Sequence, residues 1–248
     1  MKIIDALQIS YYRDLNELID NTIYQGNKQI VLHNVCGQRY LGRGLSKDIQ
    51  IKIYGTPGND MAAYMDGANL EIFGNGQDAI GNTMNSGRII IHGSCGDTTG
   101  YAMRGGEIYI KHNVGYRVGI HMKEYQDKKP IIIIGGTAGA FLGEYMAGGA
   151  IVVLGLNNNR NIIGKFCGTG IHGGVIYLNN NHINNNCGRN FGKEITQSKL
   201  DQTDILFLTK HINLYKKFFN VNINIKLDKF QKYIAIGKNP YSNMYCNY

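Results

Sequence analysis

A fixed step of 19 residues runs through the middle of this chain and limits what it can fold into. The alternating apolar pairs Ile51/Ile53, Leu70/Ile72, Ile89/Ile91 and Ile108/Ile110 each stand just ahead of a repeat end, at Gly55, Gly74, Gly93 and His112. Alternation at period two is the signature of a half-buried strand. After an insertion of four residues the pattern is expected to return as Ile131/Ile133 before Gly135, then as Ile151/Val153 before Gly155. A second insertion, the asparagine-rich 157–161 segment, precedes the last copy, Val175-Ile176-Tyr177-Leu178. Strands that recur at this step leave no room for crossover helices, which excludes a doubly wound parallel sheet. An all-β, single-stranded parallel β-helix remains, right-handed by the usual crossover chirality, with about seven coils.

Glycine punctuates the same period. It supplies 33 of 248 residues, roughly twice the background of about 7%, and 26 of them fall between residues 55 and 174. The spacing G-x-x-x-G-x-x-x-x-G-G recurs at Gly96/Gly100/Gly105-Gly106, Gly139/Gly143/Gly148-Gly149 and Gly164/Gly168/Gly173-Gly174. Glycine at fixed intervals provides backbone corners that other residues adopt only at a cost. Met65, Met84, Met103, Met122 and Met146 hold one position in five consecutive repeats, with Ile171 in the next, which predicts a continuous apolar row inside the coil. Neighbouring repeats offer no matching row of cysteine or histidine, so the row reads as core rather than as a copper site.

The flanks read as caps that would cover the open ends of the rod. Ser10 is the expected N-cap of a helix ending near Ile23, with Leu15, Leu18, Ile19 and Ile23 on one face, Gly26 as its stop, and a strand over 29–32. A second amphipathic helix is expected to start at Thr203 or Asp204, with Leu208, Ile212, Tyr215 and Phe219 as its stripe. Beyond it, 233–236 and then Asn239-Pro240-Tyr241 read as extended chain. The organisation is therefore an N-terminal cap at 1–33, a glycine-rich β-helix at 34–190, and a C-terminal helix and extended tail at 191–248.

The formal charge of +8 suggests nucleic acid until it is placed along the chain. Residues 55–190 hold ten basic and nine acidic groups, whereas residues 201–248 hold seven and three. The excess is spread over a C-terminal segment, so no nucleic-acid partner is expected. Cysteines 36, 95, 167, 187 and 246 form no C-x-x-C pair, which fits a reducing compartment better than a disulfide framework. The opening Met1-Lys2-Ile3-Ile4-Asp5 meets charge at once, and glycines interrupt the apolar stretch at 130–156. Neither a secretory signal nor a membrane span is expected, and the localisation read from this is cytoplasmic.

A search for chemistry assigns no catalytic, cofactor-binding or metal residues. Gly168-x-Gly170-x-x-Gly173 matches a dinucleotide fingerprint in letters, but here the glycines are coil corners leading into a strand, not a strand turning into a helix. Gly164-Lys165 is followed by Phe166, which denies it a phosphate-loop pattern. Ser86 and Ser94 lack a G-x-S-x-G elbow. The histidines at 33, 92, 112, 121, 172, 182 and 211 lack metal-ligand spacing, although His92 and His112 fall in adjacent coils. Asp78 and Asp97 stack, but Asn59 precedes them and Tyr116 follows, too short an acidic row for a polysaccharide-cleaving β-helix. The inserted residues at 123–129 and 157–161 are expected to leave the coil and, with the basic C-terminal segment, to meet partners.

Three stretches resemble one family: residues 34–40 (Asn34-Val35-Cys36-Gly37-Gln38-Arg39-Tyr40), residues 54–60, and residues 115–125 with Gly115-Tyr116-Arg117-Val118-Gly119 and His121-Met122-Lys123. Residues 135–149, with Leu142-Gly143-Glu144-Tyr145-Met146, add to the likeness, which covers about 1–190; Asn239-Pro240-Tyr241-Ser242-Asn243-Met244-Tyr245 resembles the family's closing motif. The sequence resembles the C-terminal glycine-rich (GXGXG) β-helix domain of the glutamate synthase large subunit. That resemblance implies a non-catalytic scaffold in glutamate biosynthesis and nitrogen assimilation. It implies a glutaminase-type amidotransferase and a flavin- and iron–sulfur-containing synthase subunit as partners, with those cofactors in the partners and none in this chain. The related β-helix subunit of a formylmethanofuran dehydrogenase-like complex stays open as an alternative, as does a free-standing β-helix carbohydrate-active enzyme.

Overall fold

The computed structural model describes residues 1–46, 48–156, 161–179 and 190–237. Seven strands stack in chain order, each parallel to the one before: β3 (Gln50–Thr56), β4 (Asp66–Phe73), β5 (Ser86–Ile91), β6 (Glu107–Ile110), β7 (Ile131–Ile134), β8 (Ala147–Val153) and β9 (Gly173–Asn179). They enclose about six turns of a parallel β-helix. At one end β1 (Lys2–Asp5) and β2 (Gln29–Cys36) extend the sheet in the same parallel sense. A second, much shorter ladder of single bridges runs through Gly76, Cys95, Val114, Ala138 and Ile163.

The register corrects one expectation. Ile108 pairs with Ile132 and Ile110 with Ile134, so the insertion before β7 is one residue longer than the sequence suggested. Ile132 and Ile134 point into the coil, and Ile131 and Ile133 point out of it. In a run of four isoleucines both faces are apolar, so alternation carries no information about which face is which. The methionine row is as expected: Met65, Met84, Met103, Met122 and Met146 are all fully buried, as is Ile171.

Ahead of each methionine lies a strip whose φ is positive at every second residue, as in Thr98, Gly100 and Ala102 and again in Arg117, Gly119 and His121. The amides of this strip point alternately forward and back along the rod. Thr98 donates to Tyr116 O (2.8 Å), Gly100 to Ile80 O (2.7 Å) and Ala102 to Ile120 O (2.9 Å). The strip therefore knits three turns together without being a β-strand. Its middle residue faces the core against an inward isoleucine: a β-carbon on Gly100 would stand 2.5 Å from Ile132 Cδ1, and one on Gly119 2.6 Å from Ile151 Cδ1.

The N-terminal cap is helical, and the C-terminal one is not. Helix α1 (Tyr12–Tyr24) places Leu15 and Ile19 on the end of the core while Leu18 stays exposed. Ser10 does not cap it; Tyr11 takes that position without a side-chain bond, and Gly26 (φ +87) turns the chain afterwards. At the far end β11 (Phe230–Ala235) pairs antiparallel with β9, and β10 (Ile195–Ser198) pairs antiparallel with β11. Ile195 and Tyr233 close the core there. Helix α2 (Gln202–Phe219) begins at Asp201, whose carboxylate and that of Asp204 form a reciprocal capping box. Rather than covering the end, α2 lies along the outer face of β6–β9, with Leu208, Ile212, Tyr215 and Phe219 packed on Tyr109, Ile133, Val152 and Tyr177. The outward residues of these strands are apolar and need a cover, which is why the helix sits there. The Asn157–Arg160 part of the second insertion and the 239–245 motif lie outside the described residues.

Two substitutions test this packing. Met103→Asp should cost several kcal/mol, because a charge in the sealed row has no partner, and urea denaturation should show a fold that barely survives. Gly100→Ala should cost about 1–2 kcal/mol for the left-handed backbone alone. Adding Ile132→Val, which removes the Cδ1 that the new methyl meets, should make the double variant less destabilised than the sum of the singles.

Candidate functional site

Three places on the rod gather polar side chains. The first is the acidic row noted in the sequence. Asp78 N donates to Asn59 Oδ1 (3.2 Å), Asp97 N to Asp78 Oδ1 (2.8 Å) and Tyr116 N to Asp97 Oδ1 (2.8 Å). A parallel row does the same through Asn75, Ser94, Asn113 and Thr137, with Ser94 N on Asn75 Oδ1 (2.9 Å) and Thr137 N on Asn113 Oδ1 (2.9 Å). Each side chain accepts from the backbone one turn ahead. Corner amides that no strand partner reaches are satisfied in this way, so the rows are structural joints rather than acid–base pairs.

The second is the seam under α2. The Tyr109 hydroxyl lies 2.7 Å from His211 Nδ1 in a buried contact, beside the Arg88–Glu107 ion pair (2.7 Å). Burial pushes the His211 pKa down to about 4 and that of Tyr109 up. Further along, Asp204 accepts from Tyr177 Oη (2.6 Å) and from Lys232 Nζ (2.7 Å). Burial alone would raise the Asp204 pKa, but bonds from Lys232, Tyr177 and the Asp201 amide outweigh it and hold the carboxyl below its usual range. Sequence reasoning missed this seam: it treated the C-terminal basic residues as one spread excess of charge, yet the Lys232 side chain is only 15% exposed and joins Asp201 and Asp204.

The third is a cleft of about 400 Å³ between the C-terminal end of α2 and the Ser94 row, lined by Lys111, His112, Thr137 and the buried Tyr215. Among the described residues no hydrogen bond joins Ser94 to a histidine, and Ser94 Oγ accepts from Asn113 N (3.3 Å). Ser86 donates to Asp66 (2.6 Å). His92 and His112 do not converge: His92 stacks on Phe73 at 4.6 Å and bonds Glu71 at 3.0 Å, closing a column His33–Tyr54–Phe73–His92. Among the described residues no group of three or more metal-ligating side chains is present. His182, Cys187 and Cys246 lie outside the described residues. In the 123–129 loop every residue but Lys128 is exposed, and two side chains tie it to other turns: Glu124 accepts from Gly149 N (3.0 Å) and Lys128 reaches Asp66 (3.3 Å).

Two outcomes follow from these environments. The folded state keeps His211 neutral, whereas the unfolded chain takes up a proton below about 6.5, so stability falls as pH drops from 6.5 towards 4. The Asp204 contribution, from a depressed pKa, is complete above the ordinary carboxylate value of 3.8 and is lost only below it. Urea midpoints measured against pH should decline between 6.5 and 4, and His211→Gln should flatten that slope. Burial also pushes the thiols of Cys95 and Cys167 up to about 12, while Cys36 is exposed. Alkylation of the native protein followed by peptide mass spectrometry should label Cys36 and spare Cys95 and Cys167.

No helix among the described residues is long and apolar enough to cross a membrane. A family model described as the GXGXG motif matches residues 19–236. The uncharacterized protein MJ1350 of Methanocaldococcus jannaschii is 45% identical over 255 aligned residues, covering 98% of this chain and 95% of that protein. The glycine strip with its alternating amides recurs in turn after turn and lies within that match; the chain belongs to the GXGXG motif family.

Proposed function

We propose that this chain is a non-catalytic scaffold subunit of a glutamate synthase-type assembly, the one that turns glutamine and 2-oxoglutarate into glutamate. The GXGXG match across most of the chain carries the reading. The way the rod spends its polar groups supports it: Asn59, Asp78, Asp97 and Asn113 each hold the backbone of the next turn. A rod braced at every turn keeps two other bodies at a fixed separation. The glutaminase-type amidotransferase would release ammonia on one side and the flavin- and iron–sulfur-containing synthase subunit would consume it on the other, so that cofactors and chemistry belong to the partners.

The test is reconstitution with those two subunits from the same source. The three chains should co-migrate on size exclusion, and omitting this one should uncouple the reaction, with glutamine hydrolysed but glutamate formation lowered and free ammonia released. The chain alone should purify colourless and make no glutamate. A yellow preparation, or undiminished glutamine-dependent synthesis without the chain, would overturn the reading.

A further inference from the structure

The glycine strip has two flanking rows that share its positive φ but face solvent. The first turns already hold Tyr40 (φ 60) and Tyr64 (φ 59) in such positions, and the later turns concentrate them: Arg117 (φ 55), His121 (φ 55), Phe141 (φ 62), Tyr145 (φ 52) and Phe166 (φ 62). Glycine would be free of strain there, and this chain has glycine to spare. Bulky residues held in an unfavourable backbone region at the surface, where they stack on one another and not into the core, point to use rather than stability.

Their rings form two rails along the rod. One runs Tyr101, His121 and Tyr145, with centroids 6.0 and 5.3 Å apart. The other runs from the Arg117 guanidinium, 4.8 Å over the Phe141 ring, to Phe166 at 5.0 Å. Arg117 is paired with the buried Glu144 at 3.0 Å. Tyr116 is 56% exposed and Phe166 47%. Around the rails Arg104, Lys123 and Lys165 are exposed and make no ion pair among the described residues. Register keeps them together: Lys123 N bonds Met103 O, and Phe141 N bonds Lys165 O. In the row just ahead of the strip the earlier turns bear Asp78 and Asp97 where the later ones bear Tyr116, Ala140 and Lys165, so that row changes sign along the rod.

We propose that this aromatic and basic corner, spanning Tyr101 to Phe166, is the docking face for an acidic surface of a protein subunit. The proposal rests on the scaffold reading above and names where the partner sits. Rigid aromatic and arginine side chains supply contact area at little entropic cost, and unpaired cations choose a carboxylate-bearing face and orient it. The acidic turns next to the platform would repel a phosphate backbone tracking along the rod, which favours protein over nucleic acid.

The experiment measures binding of the full chain to the purified synthase subunit and, separately, to the glutaminase subunit, at low and high salt, with a mixed-sequence single-stranded RNA as a third probe. Arg104→Ser/Lys123→Ser/Lys165→Ser should weaken binding to one subunit at least tenfold, mostly through the association rate, and remove most of its salt dependence. Tyr116→Ser/Phe166→Ser should weaken it through dissociation. All five positions are solvent-facing, so circular dichroism and melting should match the parent. Lys226→Ser/Lys229→Ser, on the C-terminal segment, should bind as the parent does. If the parent binds a subunit and the platform variants bind equally well, or the Lys226/Lys229 variant is the one that fails, the platform is wrong and the scaffold reading stands. If the parent binds neither subunit, both readings fall. Binding to RNA alone, lost in the triple variant, would overturn the protein-partner proposal.

Discussion

Stacking one turn on the next at strand spacing, about 4.8 Å, brings backbone against backbone around the whole circumference, not only along the strands. Every amide at a corner then needs an acceptor in the turn above or below, and every side chain at a tight corner is an obstacle. The glycine strip answers both demands. Its alternating φ sends successive amides up and down, and its bare middle position admits the isoleucine from a neighbouring strand. At the other corners Asn59, Asp78, Asp97 and Asn113 supply the acceptors instead. The methionine row fills what space is left, as flexible side chains do in a core whose cross-section varies slightly from turn to turn.

Much of this was legible. The 19-residue step, the alternating strand pairs and the methionine positions are periodic, and periodicity is what a sequence displays directly. The register slip at Ile131–Ile134 was not, since a run apolar on both faces loses the mark that distinguishes inside from outside. That same run held a signal of another kind. The early strands alternate, as in Gln50-Ile51-Lys52-Ile53, whereas residues 131–134 and 150–154 are apolar throughout, the pattern of a strand covered on both sides. Read so, the later turns already required something to lie over them, and the Leu208/Ile212/Tyr215/Phe219 stripe of α2 was available to do it.

The candidate site was less legible because it is made by contact between distant segments. Tyr109 and His211 are 102 residues apart, and Asp204 meets Lys232 and Tyr177 from opposite directions. The stacked carboxylates of Asp78 and Asp97 show the converse: the sequence places them one above the other correctly, but only the bonds from the next turn's amides reveal that they are engaged with the backbone. A row of acids on a coil face is a plausible active site by composition and a hinge pin by geometry.

Helix α2 also changes what kind of object the rod is. A plain solenoid behaves as a one-dimensional array in which each unit feels only its neighbours, so melting can begin at any weak turn and spread. By lying across β6–β9, α2 couples four units at once, and they must open together or not at all. β5 meets only the last turn of the helix, through Ile90 and through Arg88 over the Phe218 ring. The turns carrying β3 and β4 lack such a clamp among the described residues and keep nearest-neighbour behaviour. The molecule is therefore a rod with a cooperative half and a graded half, able to breathe at its N-terminal turns while the others stay locked.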